Sequence, residues 1–321
     1  ILATALLEQL HQLHPAAQID LLVRKGNEGL FAGHPFLHQV LVWNKKERKL
    51  PHLWQMIRTV RQQRYTLVLN LHRFASSGLI TVFSAAGETR GFTKNPWSFL
   101  FSKRYEHQIA FKQGDVYLHE VERNLQLLEL PAGTFAARPR LYPSAAAFEK
   151  VRPYQQQPYV CIAPASVWFT KQWPADQWVQ LINALPVGLS VFLLGAPADE
   201  ALCNNIAAAC AHRSVQPLCK ALSLLESAAL MQGAKMNFVN DSAPLHLASA
   251  MNAPVTAIFC STTARFGFGP LGDDATVVET LAPLACKPCG LHGKKKCPEG
   301  HFNCARTIQV EQVLSSLIRS R

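Results

Sequence analysis

Val239-Asn-Asp-Ser-Ala-Pro-Leu-His-Leu-Ala-Ser-Ala-Met251 is the stretch on which the fold of this chain turns. A short apolar run, Met236 to Val239, stops at Asn240-Asp241-Ser242, and small apolar residues at helical spacing follow. The pattern predicts strand, tight turn, helix. Asp241 or Ser242 can cap that helix, Pro244 suits its first turn because the amide it lacks would be unpaired there, and His246 lies one turn beyond Ser242. Backbone amides and the positive end of the helix dipole favour a phosphate at such a terminus, with Ser242 and His246 as further donors. Taken alone, the same residues read more readily as a capped helix with a solvated histidine.

Neighbouring strand ends change that balance. After the apolar run Tyr159 to Ala163 comes Pro164-Ala-Ser-Val-Trp-Phe-Thr-Lys-Gln-Trp-Pro174, a loop carrying Ser166, Lys171 and two tryptophans. Ligands of open α/β sheets sit at the carboxyl ends of strands, where this loop and the Asn240 turn both fall. Lys171 can there neutralise a diphosphate, or it is a surface lysine, with Trp173 and Trp178 as core anchors. Gly195-Ala-Pro-Ala-Asp199-Glu200 ends a third strand, and its carboxylates either accept hydrogen bonds from a ribose or cap a helix. No Walker lysine loop and no Asp-x-Asp occurs, so a diphosphate held by amides and Lys171 is favoured over one bridged by a metal.

Outward from this core, strands and helices alternate along the whole chain, which points to parallel sheets covered on both faces. In the first half, helix-like Ile1 to Leu13 precedes strands Ile19 to Val23 and Val40 to Trp43. Helix Leu53 to Gln63, strand Thr66 to Leu71, helix Ala75 to Ala86 and helix Val116 to Leu130 follow, the last turning Arg123 outward and ending at Pro131 and Gly133. The stretch from Arg138 to Pro158, with four prolines and Gln155 to Gln157, suits a linker. Two domains are therefore expected, 1–150 and 151–321, with a cleft between them as the ligand site. The terminal helix, Val310 to Ile318, is free to pack back across it.

Composition limits the function classes. The 321 residues are 49% hydrophobic and 17% charged, without a run of membrane-spanning length, and Ile1 to Leu10 lacks a signal peptide's basic start and cleavage site. A cytoplasmic protein is expected. The net charge of +11 calls for an anionic partner, whether nucleic acid, membrane surface or phosphorylated substrate. Arg58, Arg61, Arg64, Arg73, Arg90, Lys94, Lys103 and Arg104 make the first half basic. Arg58, Arg61 and Arg64 are spaced to share one helix face, which suits a solvated surface as well as a ligand.

Taken together, Lys171-Gln-Trp-Pro174, Gly195 with acidic residues beyond it, and Asn240-Asp-Ser-Ala-Pro-Leu-His246 followed by Ala253-Pro254-Val255 resemble the ADP-heptose:lipopolysaccharide heptosyltransferases, glycosyltransferase family nine. The resemblance implies a GT-B fold of two Rossmann-like domains with parallel sheets facing a central cleft, acceptor on the first and sugar nucleotide on the second. It implies inverting, metal-independent transfer of heptose from ADP-heptose, with no cofactor required. By position, Ser166 and Lys171 would contact the phosphates, Asp241, Ser242, Ala243 and His246 the diphosphate end of the donor, and Asp199 or Glu200 the ribose. Preorganised amides and a cation would stabilise the charge of departing ADP.

The same resemblance assigns the acceptor and exposes two departures. An anionic glycolipid, the inner core on lipid A, would meet Arg58, Arg61, Arg64, Arg73 and Lys94, and the basic face would attach peripherally to anionic bilayers. At position 243 the family usually has Gly, and the methyl of Ala243 limits how closely a phosphate approaches. The family's proposed general base is an Asp in a Gly-Asp pair ending the first strand. Ile1-Leu-Ala-Thr-Ala-Leu-Leu7 resembles the helix just after that strand. The expectation is that the native start is missing, and that a polypeptide beginning at Ile1 binds donor poorly or transfers nothing.

Nine cysteines look like reduced thiols with one local site: Cys286-Lys-Pro-Cys289, then Cys297 and Cys304, could give four thiolates to a structural zinc. Their later spacing is not that of a zinc ribbon. Two alternatives stand beside the transferase. A sugar-nucleotide epimerase would want acidic and histidine groups facing the sugar from both domains, and no such set is evident. A nucleic-acid-binding protein would use the basic face and a C-terminal zinc knuckle, but Lys45 to Lys49 lacks interleaved aromatics.

Overall fold

The computed structural model describes residues 1–45, 49–109, 117–131, 134 and 136–319. Lys46 to Arg48 of the basic run, and Val116 and Gly133 at the ends of a predicted helix, lie outside them. The chain forms two compact units, one lying chiefly before Pro139 and the other from Pro139 onward.

The first unit runs α1 (Thr4–Leu13), β1 (Ile19–Arg24), β2 (Leu37–Trp43), α2 (Lys49–Gln62), β3 (Leu67–Asn70), α3 (Ala75–Val82), β4 (Glu88–Phe92), β5 (Lys103–Tyr105) and α4 (Glu120–Leu125). All its strand pairs are parallel, as the alternation predicts, but they form two pieces, β1-β2 and β3-β4-β5. No described strand pairs with the second edge of β1 or β3, and most residues of both strands are accordingly only half-buried.

Helix α2 buries Leu53, Met56, Ile57 and Val60 against Leu41, Trp43 and Ile80. That apolar stripe is worth ~1.5–3 kcal/mol per side chain. The helix ends at Gln62, and Arg64 has φ +48. Arg64 therefore does not share a helix face with Arg58 and Arg61, a correction to the spacing argument. A second correction concerns Arg123, expected outward and found 1% exposed. Burial is tolerated because its guanidinium donates to Glu120 (2.9 Å) and to the carbonyls of Leu118 (2.6 Å) and Gln108 (3.2 Å). Helix α4 is also shorter than predicted. A capping box of His119 and Glu122 starts it, and Glu129 at φ +51 stops the 3-10 turn that follows it.

The second unit comprises α5 (Ala145–Val151), β6 (Tyr159–Ala163), α6 (Ala175–Ala184), β7 (Ser190–Leu193), α7 (Glu200–Ala209), β8 (Val215–Pro217), α8 (Leu224–Gln232), β9 (Met236–Asn240), α9 (Ala243–Ala250), β10 (Val255–Phe259), β11 (Ala275–Glu279), α10 (Asn303–Arg306) and α11 (Val310–Arg319). Helix α5, most of which the sequence reading leaves in the first half, belongs here because it packs on α8 and buries Ala147 and Val151. One parallel sheet of order β11-β10-β9-β6-β7-β8 forms the centre. Strands β6, β9 and β10 are buried along their whole length, which is why their sequences are nearly continuous apolar runs. Trp173 and Trp178 are core anchors, packed edge to face at 4.9 Å. The terminal helix α11 packs on α6, β10 and β11, and a Ser316–Thr256 hydroxyl bond of 2.5 Å fastens it. It is part of this unit's own layer. Among the described residues no helix is long and apolar enough to cross a membrane.

From β6 the chain proceeds to β7 and β8 on one side, and later to β9, β10 and β11 on the other. The reversal thus falls between β6 and β9, and a ligand crevice is expected at the carboxyl ends of those two strands.

Candidate functional site

One buried amide ties those strand ends together. Asn240, the last residue of β9, accepts the Trp173 N–H at Oδ1 (3.0 Å) and donates Nδ2 to the Pro164 carbonyl (2.8 Å). The 164–174 loop and the Asn240 turn cannot part without stranding buried groups, each worth ~1–3 kcal/mol. Sequence reading treated Asn240 as a turn residue only.

The loop delivers Lys171 to the start of α9. Its ammonium lies 2.6 Å from Asp241 Oδ2, with the two side chains 15% and 7% exposed. The same oxygen accepts the Thr262 hydroxyl at 2.6 Å. Asp241 is already matched to a cation and, being negative, would repel a phosphate at short range. What its carboxylate does here is hold Lys171 in place. Thr262 went unnoticed in the sequence, although it stands just beyond β10 where the same strand-end rule applies.

The predicted cap is absent. Ser242 is extended, its hydroxyl donates to the Asn240 carbonyl at 3.4 Å, and no side chain caps α9. Leu245 N–H turns back to Ser242 O and Pro244 has no amide, so the tip of the helix presents the amide of exposed Ala243. Half-buried His246 and half-buried Ser166 complete the list of residues at these two strand ends. The Ser166 carbonyl accepts Gln172 Nε2 at 2.7 Å, which folds the loop on itself.

Beyond β7, Asp199 Oδ2 accepts the Ala196 N–H at 2.8 Å and closes its turn. Gly195 permits this approach, since a Cβ there would lie 2.9 Å from Asp199 Cβ and from Cys219 Sγ. Glu200 pairs with Lys220. Both carboxylates thus have local partners. Gly267-Phe-Gly-Pro-Leu-Gly272 has dinucleotide-loop spacing, but it follows a 3-10 turn and leads to β11, without the strand before and helix after that such a loop needs.

The five basic residues do not come together. Arg73 follows β3 and Lys94 follows β4, at carboxyl ends, and both are exposed. Although much of Lys94 is exposed, partial desolvation of its ammonium and then the charges of Arg123 and Arg73 lower its pKa, which places Lys94 and Arg73 in one field. Arg58 and Arg61 lie on α2, where Arg61 reaches the Phe83 carbonyl past the end of α3 (3.4 Å), and Arg64 follows just before β3. Helices α2 and α3 both end where the next strand begins, so Arg61 and Arg64 sit at the amino ends of the strands.

Among the described residues no group of three or more His, Cys, Asp or Glu is arranged to hold a metal. Cys289 Sγ donates to the Cys286 carbonyl (3.3 Å), and Cys286 Sγ lies 3.9 Å from His301 Nε2. Burial pushes the Cys304 thiol up to about 11 and raises Cys289. The four-thiolate zinc set drawn from Cys286, Cys289, Cys297 and Cys304 is not formed in this arrangement.

Comparison with known proteins settles the class. A family model described as glycosyltransferase family 9 (heptosyltransferase) matches residues 53–301, well over half of the chain. The chain belongs to glycosyltransferase family 9. Lipopolysaccharide heptosyltransferase 3 of Escherichia coli is 26% identical to this family 9 enzyme over 83% of the chain and 81% of its own length. Escherichia coli ADP-heptose lipopolysaccharide heptosyltransferase II is similar at TM-score 0.79, with 19% identity over 99% of this chain and 94% of that one. Escherichia coli heptosyltransferase WaaC, solved with ADP, gives TM-score 0.72 and 20% identity over 100% and 95%. The glycosyltransferase therefore has the GT-B fold of parallel α/β domains expected from its motifs.

Proposed function

We propose that this family 9 enzyme moves heptose from ADP-heptose to the inner core of lipopolysaccharide, inverting the anomeric centre in one displacement without a metal. The observation that carries the reading is the Lys171–Asp241 pair at the switch point, beside the start of α9. As the bond from the sugar to the β-phosphate breaks, negative charge grows on ADP. Lys171, the Ala243 amide and His246 are the groups at hand to receive it, with Asp241 fixing Lys171. Ser166 would contact the same phosphates, and Asp199 or Glu200 the ribose. The relatives, a lipopolysaccharide heptosyltransferase and an ADP-heptose lipopolysaccharide heptosyltransferase among them, support the choice of donor and acceptor.

For the acceptor, Arg73 and Lys94 at the carboxyl ends of β3 and β4 would meet the anionic inner core. Exposed Phe74, Phe99 and Leu100 stand on the same two loops and suit its lipid. Arg58, Arg61 and Arg64 would add attraction to an anionic bilayer, making the enzyme peripheral on the cytoplasmic face of the membrane. The test is to give the native polypeptide ADP-heptose and a heptose-deficient lipopolysaccharide core. Release of ADP with a matching gain of one heptose on the glycolipid is expected. Turnover of a different nucleotide sugar in preference would overturn the assignment.

A further inference from the structure

The cysteine-rich stretch, residues 284–304, lies against the loop that carries Lys171. Thr170, 1% exposed, is the joint. Its N–H donates to the Lys294 carbonyl (3.1 Å), and the Lys294 N–H donates to its Oγ1 (2.8 Å). Ser261, just beyond β10, donates its hydroxyl to the same Oγ1 (2.9 Å) and its N–H to the Thr170 carbonyl (3.2 Å). Every polar atom of Thr170 is thereby committed to two segments far away in the chain. Those segments also join each other, since Cys289 N–H donates to the Ser261 carbonyl (2.9 Å). The Phe302 ring lies 5.0 Å from that of Phe169. Gly293, at φ +72, allows the approach: a Cβ there would stand 3.0 Å from Lys171 Cγ and 3.1 Å from Trp168 Cβ.

We propose that Thr170 and Gly293 are positioning residues, and that the cysteine-rich stretch is a brace that sets the Lys171 ammonium where a nucleoside diphosphate binds. The proposal rests on the donor-site reading above. A lysine side chain has more rotamer freedom to lose than most, and a backbone braced on both sides fixes where that side chain starts during folding, before any ligand arrives. The role of this stretch is thus mechanical support of a catalytic cation, carried by main-chain bonds that its sulfurs do not make.

Calorimetric titration of the purified enzyme with ADP tests it. Thr170→Val keeps the shape, removes the hydroxyl, and is expected to weaken ADP about tenfold, while Thr170→Ser restores affinity to within about twofold. In a Lys171→Met background, Thr170→Val is expected to change nothing further, because a residue acting through Lys171 has nothing left to act on. An unaltered ADP affinity in Thr170→Val, or an equal loss in both backgrounds as general disruption would give, overturns the brace. Should Thr170→Val not fold, Gly293→Ala carries the same cycle, with its added methyl against Lys171 Cγ and the same two outcomes. If Lys171→Met alone leaves ADP affinity intact, the donor-site reading fails first and takes the brace with it.

Discussion

The ammonium of Lys171 and the carboxylate of Asp241 meet at 2.6 Å, and the hydroxyl of Thr262 donates to the same carboxylate oxygen at 2.6 Å. Both charges are largely withdrawn from water, so each depends on the other. Breaking such a pair from one side costs ~3–5 kcal/mol, because the remaining charge is stranded, whereas removing both can be nearly neutral.

Stability and binding should therefore separate. Lys171→Met is expected to lower unfolding free energy by about 3 kcal/mol and to weaken ADP by more than tenfold, as loss of a charge-assisted phosphate bond does. Adding Asp241→Leu should return most of the stability and none of the affinity. Urea unfolding and ADP titration on the single and double variants check both halves.

Asn240 bonds the two strand-end motifs to each other, and its two partners are main-chain groups of Trp173 and Pro164. Asn240→Ala is expected to cost about 3 kcal/mol for stranding them, and to weaken ADP although Asn240 is wholly buried. A denaturation curve within about 0.5 kcal/mol of the parent would refute the linkage.

The second unit was legible because β6, β9 and β10 are buried on both faces and so read as nearly continuous apolar runs, with Lys171 and Asp241 beyond their carboxyl ends. Strand β4 was not legible: Glu88 and Arg90 pair with each other on it, a pattern that looks like a solvated basic loop. Arg123 was misread as outward because charge usually marks the surface, while its bonds to Leu118 and Gln108 come from chain that only the fold brings near. Likewise, nothing in the spacing of Thr170 and Lys294 announces that they are bonded.

Glu120 joins buried Arg123 (2.9 Å) to His107 (3.0 Å) in the first unit. Burial pushes its pKa up, but the bonds from His107 and Arg123 outweigh that, and the net shift is below the ordinary 4.5. A carboxylate held low gives its full stabilisation above the unfolded-state value and loses it as the pH falls through the folded one. Stability is thus expected to fall with acidity from about pH 4.5 downward, and Glu120→Gln should flatten that fall while costing about 3 kcal/mol at neutral pH. Urea midpoints across pH 3 to 7, a range spanning roughly the ordinary carboxylate values, provide the check.

Arg73 and Lys94 stand at the carboxyl ends of their strands, whereas Arg61 stands at the amino ends. Paired replacement of Arg73 and Lys94 by Ala is expected to raise KM for the glycolipid acceptor about tenfold with KM for ADP-heptose unchanged. Arg61→Ala should leave both constants alone and weaken flotation with anionic vesicles at low salt. Equal effects of the two changes on acceptor KM would remove the distinction.

A crystal structure of the enzyme soaked with ADP tests the central claim most directly. The diphosphate is expected within about 3.5 Å of Lys171 Nζ and of the Ala243 amide, a hydrogen-bonding reach, between the carboxyl ends of β6 and β9. A nucleotide seated elsewhere, with Lys171 still closed on Asp241 and untouched, would contradict it.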